Sequence, residues 1–210
     1  MYMNLIIFGS IAYLLGSIPS AVWIGKTWYG IDVREHGSNN SGATNTFRVL
    51  GKNAGITVLI IDIFKGFLAV YLPVLIYFGS ETRMEEELIH IQIIAAITAV
   101  LGHVFPIFAG FKGGKGVATS LGIIIGIHPP TAFVCLTLFL IVFLTTKFVS
   151  FGAICSSIAF PIVLVFIFKT TDLYLILFSI FLSFAVIFAH RKNITRLIKG
   201  KENKMNLFNK

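Results

Sequence analysis

The longest stretch without a charged side chain runs for 31 residues, from Gly116 to Thr146, and most of it is aliphatic or aromatic. Such a segment is stable where its apolar surface is kept away from water, as in a lipid bilayer. The rest of the chain is similar: 56% of its 210 residues are hydrophobic, 12% are charged, and the mean hydropathy is +0.89. This composition excludes an ordinary soluble domain and indicates an integral membrane protein.

A bilayer crossing needs about 20 apolar residues, so the 31-residue run is too long for one ordinary span. His128-Pro129-Pro130 is its natural break, because proline cannot donate to the helical hydrogen-bond ladder. The first apolar segment is long and lacks a basic leader, so we predict a retained span and not a cleaved signal peptide. The sequence therefore predicts an all-α, polytopic membrane protein with seven transmembrane helices, the fourth of them short. The predicted spans are residues 3–25, 54–78, 88–110, 116–128, 131–147, 150–168 and 172–189.

Basic residues collect in alternate loops of this arrangement. The loops at residues 26–52, 112–115 and 147 and the tail after His190 hold 14 of the 17 Lys and Arg residues. By the positive-inside rule this side is cytoplasmic, which places the N-terminus outside and the C-terminus in the cytoplasm. A six-span alternative, with residues 116–146 as one helix, would export the basic tail. The opposite loops carry Arg83 and Lys169 beside Glu81, Glu85, Glu86, Glu87 and Asp172.

The net charge of +8 therefore indicates orientation, and we do not expect binding to nucleic acid. The tail after residue 190 mixes apolar and basic residues at helical spacing, so it is predicted to contact anionic membrane lipid. Cys135 and Cys155 fall inside predicted spans, away from any other Cys or His cluster, and are predicted to be packing residues. No repeat or linker divides the chain, so one domain is expected over residues 1–210.

Two glycine-rich loops are predicted on the cytoplasmic side. The first, GIDVREHGSNNSGATNTFRVLGK at residues 30–52, combines glycines with hydroxyl, amide and arginine side chains. The second, FAGFKGGKG at residues 108–116, adds Lys112 and Lys115 just before an apolar run. Glycine lets backbone amides approach an anion closely, and the polar side chains can all donate to it. The second loop is not a Walker A motif, because Lys115 is followed by glycine and residue 109 is alanine.

A third cytoplasmic cluster follows the last span. His190, Asn193 and Arg196 recur at helical spacing, and Ser150 begins the sixth span on the same side. Juxtamembrane Lys and Arg usually anchor orientation, and membrane glycines often serve close packing. Two glycine-rich loops together with His190 on one side favour a shared phosphate site over these simpler explanations.

Asp62 and Lys65 lie three residues apart inside the second span. A charge near the bilayer centre costs roughly 2.5–3.5 kcal/mol, so such residues are normally paired. We predict an internal ion pair with a structural role. His103, within the third span, is predicted to be a packed polar residue and not a catalyst.

Four long motifs, in this order, resemble the acyl-phosphate-dependent glycerol-3-phosphate acyltransferases (PlsY family). They are GSIPSA at residues 16–21, REHGSNNSGATNTFRVLG at 34–51, GHVFPIFAGFKGGKGVAT at 102–119 and HRKNITRLIKGKE at 190–202. The resemblance covers nearly the whole chain. It departs from the family pattern at Asn39, where glycine is usual, and at Ser41, where proline is usual; asparagine tolerates a left-handed backbone, so the turn is expected to persist.

The resemblance implies a bacterial inner-membrane enzyme with its active site on the cytoplasmic face. It would transfer an acyl chain from acyl phosphate to the 1-hydroxyl of sn-glycerol 3-phosphate, giving lysophosphatidic acid and phosphate, and would depend on an enzyme that produces acyl phosphate. His190 and Asn193 would contact the acceptor and are the predicted catalytic residues; Gly200 and Glu202 would support them. Substrate-binding roles are implied for Ser38, Arg48, Lys112, Ser150, Asn40, Gly42, Thr44, Asn45, Gly113 and Gly114.

The implied chemistry needs neither a metal nor a cofactor. Acyl phosphate carries a good leaving group, so no covalent intermediate on the enzyme is required, and the sequence lacks a GxSxG nucleophile elbow. Either His190 or the leaving phosphate could take the hydroxyl proton. Two other classes of protein stay open from the residues alone: a transporter of a phosphorylated metabolite, and a structural membrane protein that binds lipid headgroups.

Overall fold

The structure is a computed structural model that describes residues 2–77 and 85–205. These residues form ten α-helices and, within the described ranges, no strand, which confirms the all-α prediction. The end of the second predicted span at residue 78 and the loop residues Glu81 and Arg83 lie outside the described residues. The helices are α1 (Tyr2–Gly16), α2 (Ser20–Tyr29), α3 (Ala43–Leu50), α4 (Lys52–Tyr77), α5 (Glu85–Val104), α6 (Val117–Ile127), α7 (Pro129–Thr146), α8 (Val149–Ile162), α9 (Leu173–Ala189) and α10 (Arg191–Ile198).

Each of the seven predicted spans contains helix within the described residues, although α5 ends at Val104 and the third span was predicted to reach residue 110. The first is divided into α1 and α2 at Pro19, whose ring cannot continue the hydrogen-bond ladder of α1. The predicted break at His128 is confirmed, since α6 ends at Ile127 and α7 begins at Pro129. The sixth continues past α8 as a π-helical turn, Val163–Ile167.

Within the described residues, length and apolarity identify five helical segments able to cross a membrane, or six if α9 and α10, which are bent by 60° at His190, count as one span. The chain is thus a multi-pass membrane protein. Helix α6 has 11 residues and extends for only about 16 Å, roughly half of the hydrocarbon thickness. The count of seven crossings stays a prediction, as does the orientation of the termini.

The chain divides into two compact units, Met1–Ile127 and His128–Lys210. In the first unit α1 packs on α5, and α4 packs on both α5 and α6. Helices α4 and α6 approach backbone to backbone at Gly66 and Gly122, where an added Cβ would overlap a carbonyl oxygen of the facing helix. This contact holds the short α6 firmly against the long α4.

In the second unit α8 lies against both α7 and α9, and α10 contacts α8 and α9. Two side chains define helix starts: His128 Nδ1 accepts from the Thr131 amide at 3.3 Å, and Asp172 Oδ1 accepts from the Leu175 amide at 2.9 Å. The expectation that residues 1–210 form one domain stays a prediction. Cys135 and Cys155 lie in α7 and α8 as free thiols.

Candidate active site

The first glycine-rich loop of the first unit is organised around Asn45, in the first turn of α3. Its Nδ2 donates to the carbonyls of Val33, His36 and Asn40 at 2.7, 3.1 and 2.9 Å. Its Oδ1 accepts from the amide and the hydroxyl of Ser38 at 2.7 and 3.0 Å. The side chain of Asn45 is buried and engages five groups, so its contribution to a site is to shape the loop and orient the exposed Ser38.

The chain turns into α3 through Asn39 and Asn40. Asn39 has φ +54°, which confirms that asparagine adopts the left-handed turn where the family usually has glycine. Asn40 Oδ1 accepts from the Gly42 amide at 2.9 Å, so that amide is already used. Gly42 begins α3 without a side-chain cap. The Asn45 and Thr46 amides donate to the Gly42 carbonyl at 3.0 and 3.1 Å, so in this first turn the amides of Ala43 and Thr44 are the donors that the loop can offer to an anion.

The second glycine-rich loop folds back on the end of α5. The amides of Gly113 and Gly114 donate to the carbonyls of Val104 and His103, each at 3.1 Å. A Cβ at Gly113 would overlap the His103 carbonyl oxygen, and a Cβ at Gly114 would overlap the His103 imidazole. These two glycines are therefore needed for close approach, and their amides are not available to a phosphate. Lys112, in contrast, is exposed and forms no hydrogen bond or ion pair within the described part of the chain.

Arg34 joins the two loops. Its Nη1 donates to the Ala109 carbonyl at 2.7 Å, and its Nε and Nη2 donate to the two carboxylate oxygens of Asp32 at 3.0 and 2.8 Å. Lys26 lies 3.2 Å from the same carboxylate. The hydrogen bond from Arg34 holds the pKa of Asp32 well below its usual range, and Asp32 in turn raises the pKa of Arg34. The Asp32–Arg34 pair, called the clamp below, is therefore fully charged at neutral pH.

Beneath the loops lies a small polar pocket with the predicted ion pair at its base. Lys65 Nζ is 2.8 Å from Asp62 Oδ1, and both side chains are buried, which confirms the pairing. Lys65 also donates to the Ile18 carbonyl at 2.8 Å, and Asp62 accepts from Ser20 Oγ at 2.8 Å. The pocket is lined by Ile18, Pro19, Ser20, Ser41, Asp62, Lys65, His103 and Pro106, so it reaches from the ion pair to Ser41 of the first loop and to the end of α5.

In the second unit Glu202 gathers the polar residues around α10. Its Oε1 accepts from Ser150 Oγ at 2.8 Å and from Asn193 Nδ2 at 2.7 Å, and its Oε2 accepts from Arg196 Nε at 2.7 Å. Burial raises the pKa of Glu202, but the hydrogen bonds from Arg196, Asn193 and Ser150 outweigh it and leave the pKa below its ordinary value. Glu202 therefore fixes the positions of Ser150 and Asn193 through hydrogen bonds, and its supporting role in a site stays a prediction.

His190 occupies the bend between α9 and α10 and is buried. Its Nδ1 lies 2.8 Å from the Val186 carbonyl oxygen. A carbonyl can only accept, so Nδ1 carries the proton and Nε2 of the neutral ring is the basic atom. This is the tautomer that a general base working through Nε2 requires.

The predicted site residues are divided between the two units of the chain. Those of the first unit are Ser38, Asn40, Gly42, Thr44, Asn45, Arg48, Lys112, Gly113 and Gly114; those of the second are Ser150, His190 and Asn193. Sequence analysis missed the Asp32–Arg34 clamp, whose partner Ala109 is 75 residues away. Within residues 2–77 and 85–205, no three His, Cys, Asp or Glu side chains are grouped so that they could hold a metal ion.

The long apolar helices and the two ordered glycine-rich loops define a polytopic membrane protein that is all-helical within the described residues. The sequence profile of one family, glycerol-3-phosphate acyltransferase, matches residues 6–200. The chain belongs to the glycerol-3-phosphate acyltransferase family.

Relatives of full length support this assignment. The chain is 42% identical to a glycerol-3-phosphate acyltransferase of Fusobacterium nucleatum over 92% of its own length and 94% of the relative's. It is 40% identical to one of Chlorobium phaeobacteroides, over 96% and 97% of the two chains. Among solved structures it is similar to PlsY (YgiH), an integral membrane glycerol 3-phosphate acyltransferase, in its glycerol 3-phosphate form, with a TM-score of 0.86, 34% identity and 98% and 99% coverage. The lysophosphatidic acid form of PlsY gives a TM-score of 0.81 at 33% identity, over 97% and 96% of the chains.

Proposed function

We propose that this acyltransferase takes its acyl group from acyl phosphate and transfers it to the 1-hydroxyl of sn-glycerol 3-phosphate, releasing lysophosphatidic acid and phosphate as the first acylation of bacterial phospholipid synthesis. The single observation that carries the proposal is the pair of loops joined by Arg34, which present Ser38, the first turn of α3 and the unpaired Lys112. Support also comes from the names of the PlsY structures, one a glycerol 3-phosphate form and the other a lysophosphatidic acid form.

In the proposed reaction the 1-hydroxyl oxygen bonds to the acyl carbonyl carbon, and the bond from that carbon to the phosphate oxygen breaks. Phosphate leaves with the bonding electron pair. The hydroxyl proton passes to His190 Nε2 or to the leaving phosphate. Because the donor is already activated, the residues need only bind, orient and neutralise charge, and such positioning supplies up to roughly 7–11 kcal/mol.

Roles follow from the chemistry of each side chain. Arg48 and Lys112 neutralise the phosphate of the acceptor, and Ser38 donates to it. The first turn of α3, with Thr44, offers amides to the acyl phosphate. His190 orients or deprotonates the hydroxyl. Asn193 and Ser150 are held in position by their hydrogen bonds to Glu202. The remaining predicted residues, Asn40, Gly42, Asn45, Gly113 and Gly114, shape the loops that present these groups.

Location is part of the proposal. Seven crossings, with the N-terminus outside and the C-terminus inside, would place the acidic loops outside and the basic loops on the cytoplasmic side of the bacterial inner membrane. There the enzyme would receive acyl phosphate from the enzyme that makes it and glycerol 3-phosphate from the cytoplasm. We propose that residues 1–210 act together as one acyltransferase domain.

Phosphate release by purified protein in detergent or lipid tests the proposal, with acyl phosphate present and glycerol 3-phosphate added or omitted. Release should require both substrates, yield lysophosphatidic acid, and be lost in Arg48→Ala and Lys112→Ala. Lys52→Ala, which removes an exposed charge at the start of α4, is the matched control and should retain activity. Well-folded protein without acceptor-dependent release would contradict the proposal, and glycerol 3-phosphate uptake by proteoliposomes would then favour the transporter.

A further inference from the structure

We propose that His103 is a positioning residue: its buried imidazole sets the place of the loop that carries Lys112. This inference rests on the proposed function, because it assigns to His103 an effect on the residue proposed to bind the acceptor's phosphate. His103 lies near the end of α5 and is almost completely buried. It is one of the side chains that line the small pocket between the buried ion pair and Ser41 of the first loop.

The imidazole touches the chain on both sides of Lys115, in the second loop and at the start of α6. Before it, Gly114 lies so close that a Cβ added there would overlap Nε2, and the next nearest atoms, Cε1 and Cδ2, also belong to the His103 ring. After it, Thr119 Oγ1 at the start of α6 lies 3.1 Å from Nδ1. The backbone adds a third link, since the Gly114 amide donates to the His103 carbonyl at 3.1 Å. The ring therefore fills the space under the loop and fixes where it passes.

On the opposite side the ring faces the buried ion pair. His103 Nδ1 lies 3.8 Å from Asp62 Oδ1, which is itself bonded to Lys65 and Ser20. Because both members of the ion pair lie in α4 and Lys65 also donates to the Ile18 carbonyl between α1 and α2, the ring has a rigid support. Contacts therefore run without interruption from the ion pair through His103 to Gly114, two residues from Lys112.

A double-mutant cycle on Gly114 and His103 tests this role. Gly114→Ala alone introduces a methyl group into the space of the imidazole, so it should displace the loop and raise KM for glycerol 3-phosphate. His103→Ala removes the three atoms that lie nearest to the new methyl group. Adding Gly114→Ala to His103→Ala should therefore raise KM for glycerol 3-phosphate by a factor about tenfold or more smaller than adding it to the unmodified protein. A coupling of this size is within the range found between contacting residues.

Gly113→Ala is the matched control, one residue away on the same loop. Its Cβ would overlap the carbonyl oxygen of His103 and approach the Val104 carbonyl, and both of these are backbone atoms. Removing the His103 side chain cannot relieve that overlap. Gly113→Ala should therefore raise KM for glycerol 3-phosphate by the same factor, within about twofold, whether position 103 is histidine or alanine.

His103→Asn provides a second background that keeps a polar atom near Nδ1 for Thr119 but lacks Nε2 and Cε1. With asparagine at position 103, Gly114→Ala should also cause a smaller rise in KM for glycerol 3-phosphate. His103→Asn replaces His103→Ala in the cycle if the alanine variant does not purify as folded protein. The single variants at position 103 should raise KM for glycerol 3-phosphate more than KM for acyl phosphate, since Lys112 is proposed to bind the acceptor. A residue that only fills space would lower the yield of folded protein without this selectivity.

The inference would be overturned if Gly114→Ala raised KM for glycerol 3-phosphate by the same factor with histidine, alanine or asparagine at position 103. It would also be overturned if the variants at position 103 raised KM for both substrates equally. Failure of the proposed function is recognised separately, because unmodified protein would then show no acceptor-dependent phosphate release. In that case the same cycle, read out as binding of glycerol 3-phosphate by calorimetry, still tests whether His103 positions the loop.

Discussion

Three asparagines within seven residues show how much one residue type can differ in role. Asn39 uses its tolerance of positive φ, Asn40 caps the Gly42 amide with its side-chain oxygen, and Asn45 fills a buried position with five hydrogen bonds. Only the first role follows from the sequence, because it depends on local backbone preference alone. The other two depend on where the loop places its own carbonyls and amides.

Asn45→Asp should reduce acceptor-dependent phosphate release by about 100-fold, because it replaces a buried donor to three carbonyls by an acceptor of the same shape. The loop should open and Ser38 should lose its orientation. Asn53→Asp is the control: it makes the same change at an exposed site in the first turn of α4 and should alter activity by less than about twofold. The result to measure is kcat/KM for glycerol 3-phosphate. If Asn45→Asp keeps half of the activity, the loop does not depend on this network.

The variant His190→Asn distinguishes the roles of the two ring nitrogens of His190. An asparagine amide can still donate to the Val186 carbonyl, as Nδ1 does at 2.8 Å, but it has no atom at the position of Nε2. If Nε2 is the base, this variant should lose activity by about 100-fold or more while remaining folded. A loss below about tenfold in both His190→Asn and His190→Ala would assign the proton to the leaving phosphate instead. Single-turnover rates with both substrates saturating give the comparison.

At the scale of elements, the end of α10 explains why glycine and glutamate stand at residues 200 and 202. Gly200 has φ +64°, its amide donates to the Leu197 carbonyl, and the Lys201 amide donates to the Arg196 carbonyl. This is a Schellman ending, which reverses the chain after the helix. The reversal returns Glu202 to Asn193 and Arg196 on α10 and to Ser150 on α8. The position of Asn193, a proposed catalytic residue, thus depends on a chain segment that follows it in the sequence.

Glu202→Gln should lower Tm above pH 5 by about 2–4 °C, because it removes the ion pair with Arg196 and weakens two further hydrogen bonds. The folded-state pKa of Glu202 lies below its ordinary value of 4.5. The stabilising contribution of its carboxylate is therefore complete above that value and is lost as the pH falls further.

The difference in Tm between the unmodified protein and Glu202→Gln should accordingly be constant from pH 8 to 5 and should narrow below about pH 4.5. Glu35→Gln, at an exposed glutamate of the first loop, is the control and should show no such narrowing. A gap that stays constant down to pH 3 would mean that the carboxylate does not contribute through its charge. Thermal unfolding in detergent, followed at half-unit intervals of pH, provides the curves.

The helices were predictable to a large extent, and the loops were not. Apolar runs and the proline pair at 129–130 predicted the helices because both act locally along the chain. The spacing of Asp62 and Lys65 predicted their pairing for the same reason. The sequence also suggested phosphate contacts for Gly113 and Gly114, but their amides are bonded to the end of α5. Their close approach to His103 depends on tertiary packing, which glycine content alone does not reveal.

At the scale of the whole molecule, the number of crossings depends on α6. Eleven residues cover about 16 Å, so a crossing by α6 would require a thinned bilayer or a loop that continues the path through protein. Helix α6 is held against α4 by the contact at Gly66 and Gly122, so its ends are set by α4 and not by lipid. An odd number of crossings is needed to place the two termini on opposite sides of the membrane.

Pro130→Cys in a variant whose two native cysteines are replaced by alanine tests the count directly. Pro130 is exposed in the first turn of α7, three residues after α6 ends. Seven crossings place it on the outer side. A membrane-impermeant maleimide should therefore label it in cells whose outer envelope admits the reagent and whose inner membrane is intact. Thr171→Cys, before α9, should be labelled in the same way, whereas Lys192→Cys, after α9, should be labelled only once the inner membrane is opened. If residues 116–146 crossed as one helix, position 130 would lie within the hydrocarbon and stay unlabelled under both conditions, and the basic tail would then have to be assigned to the other side.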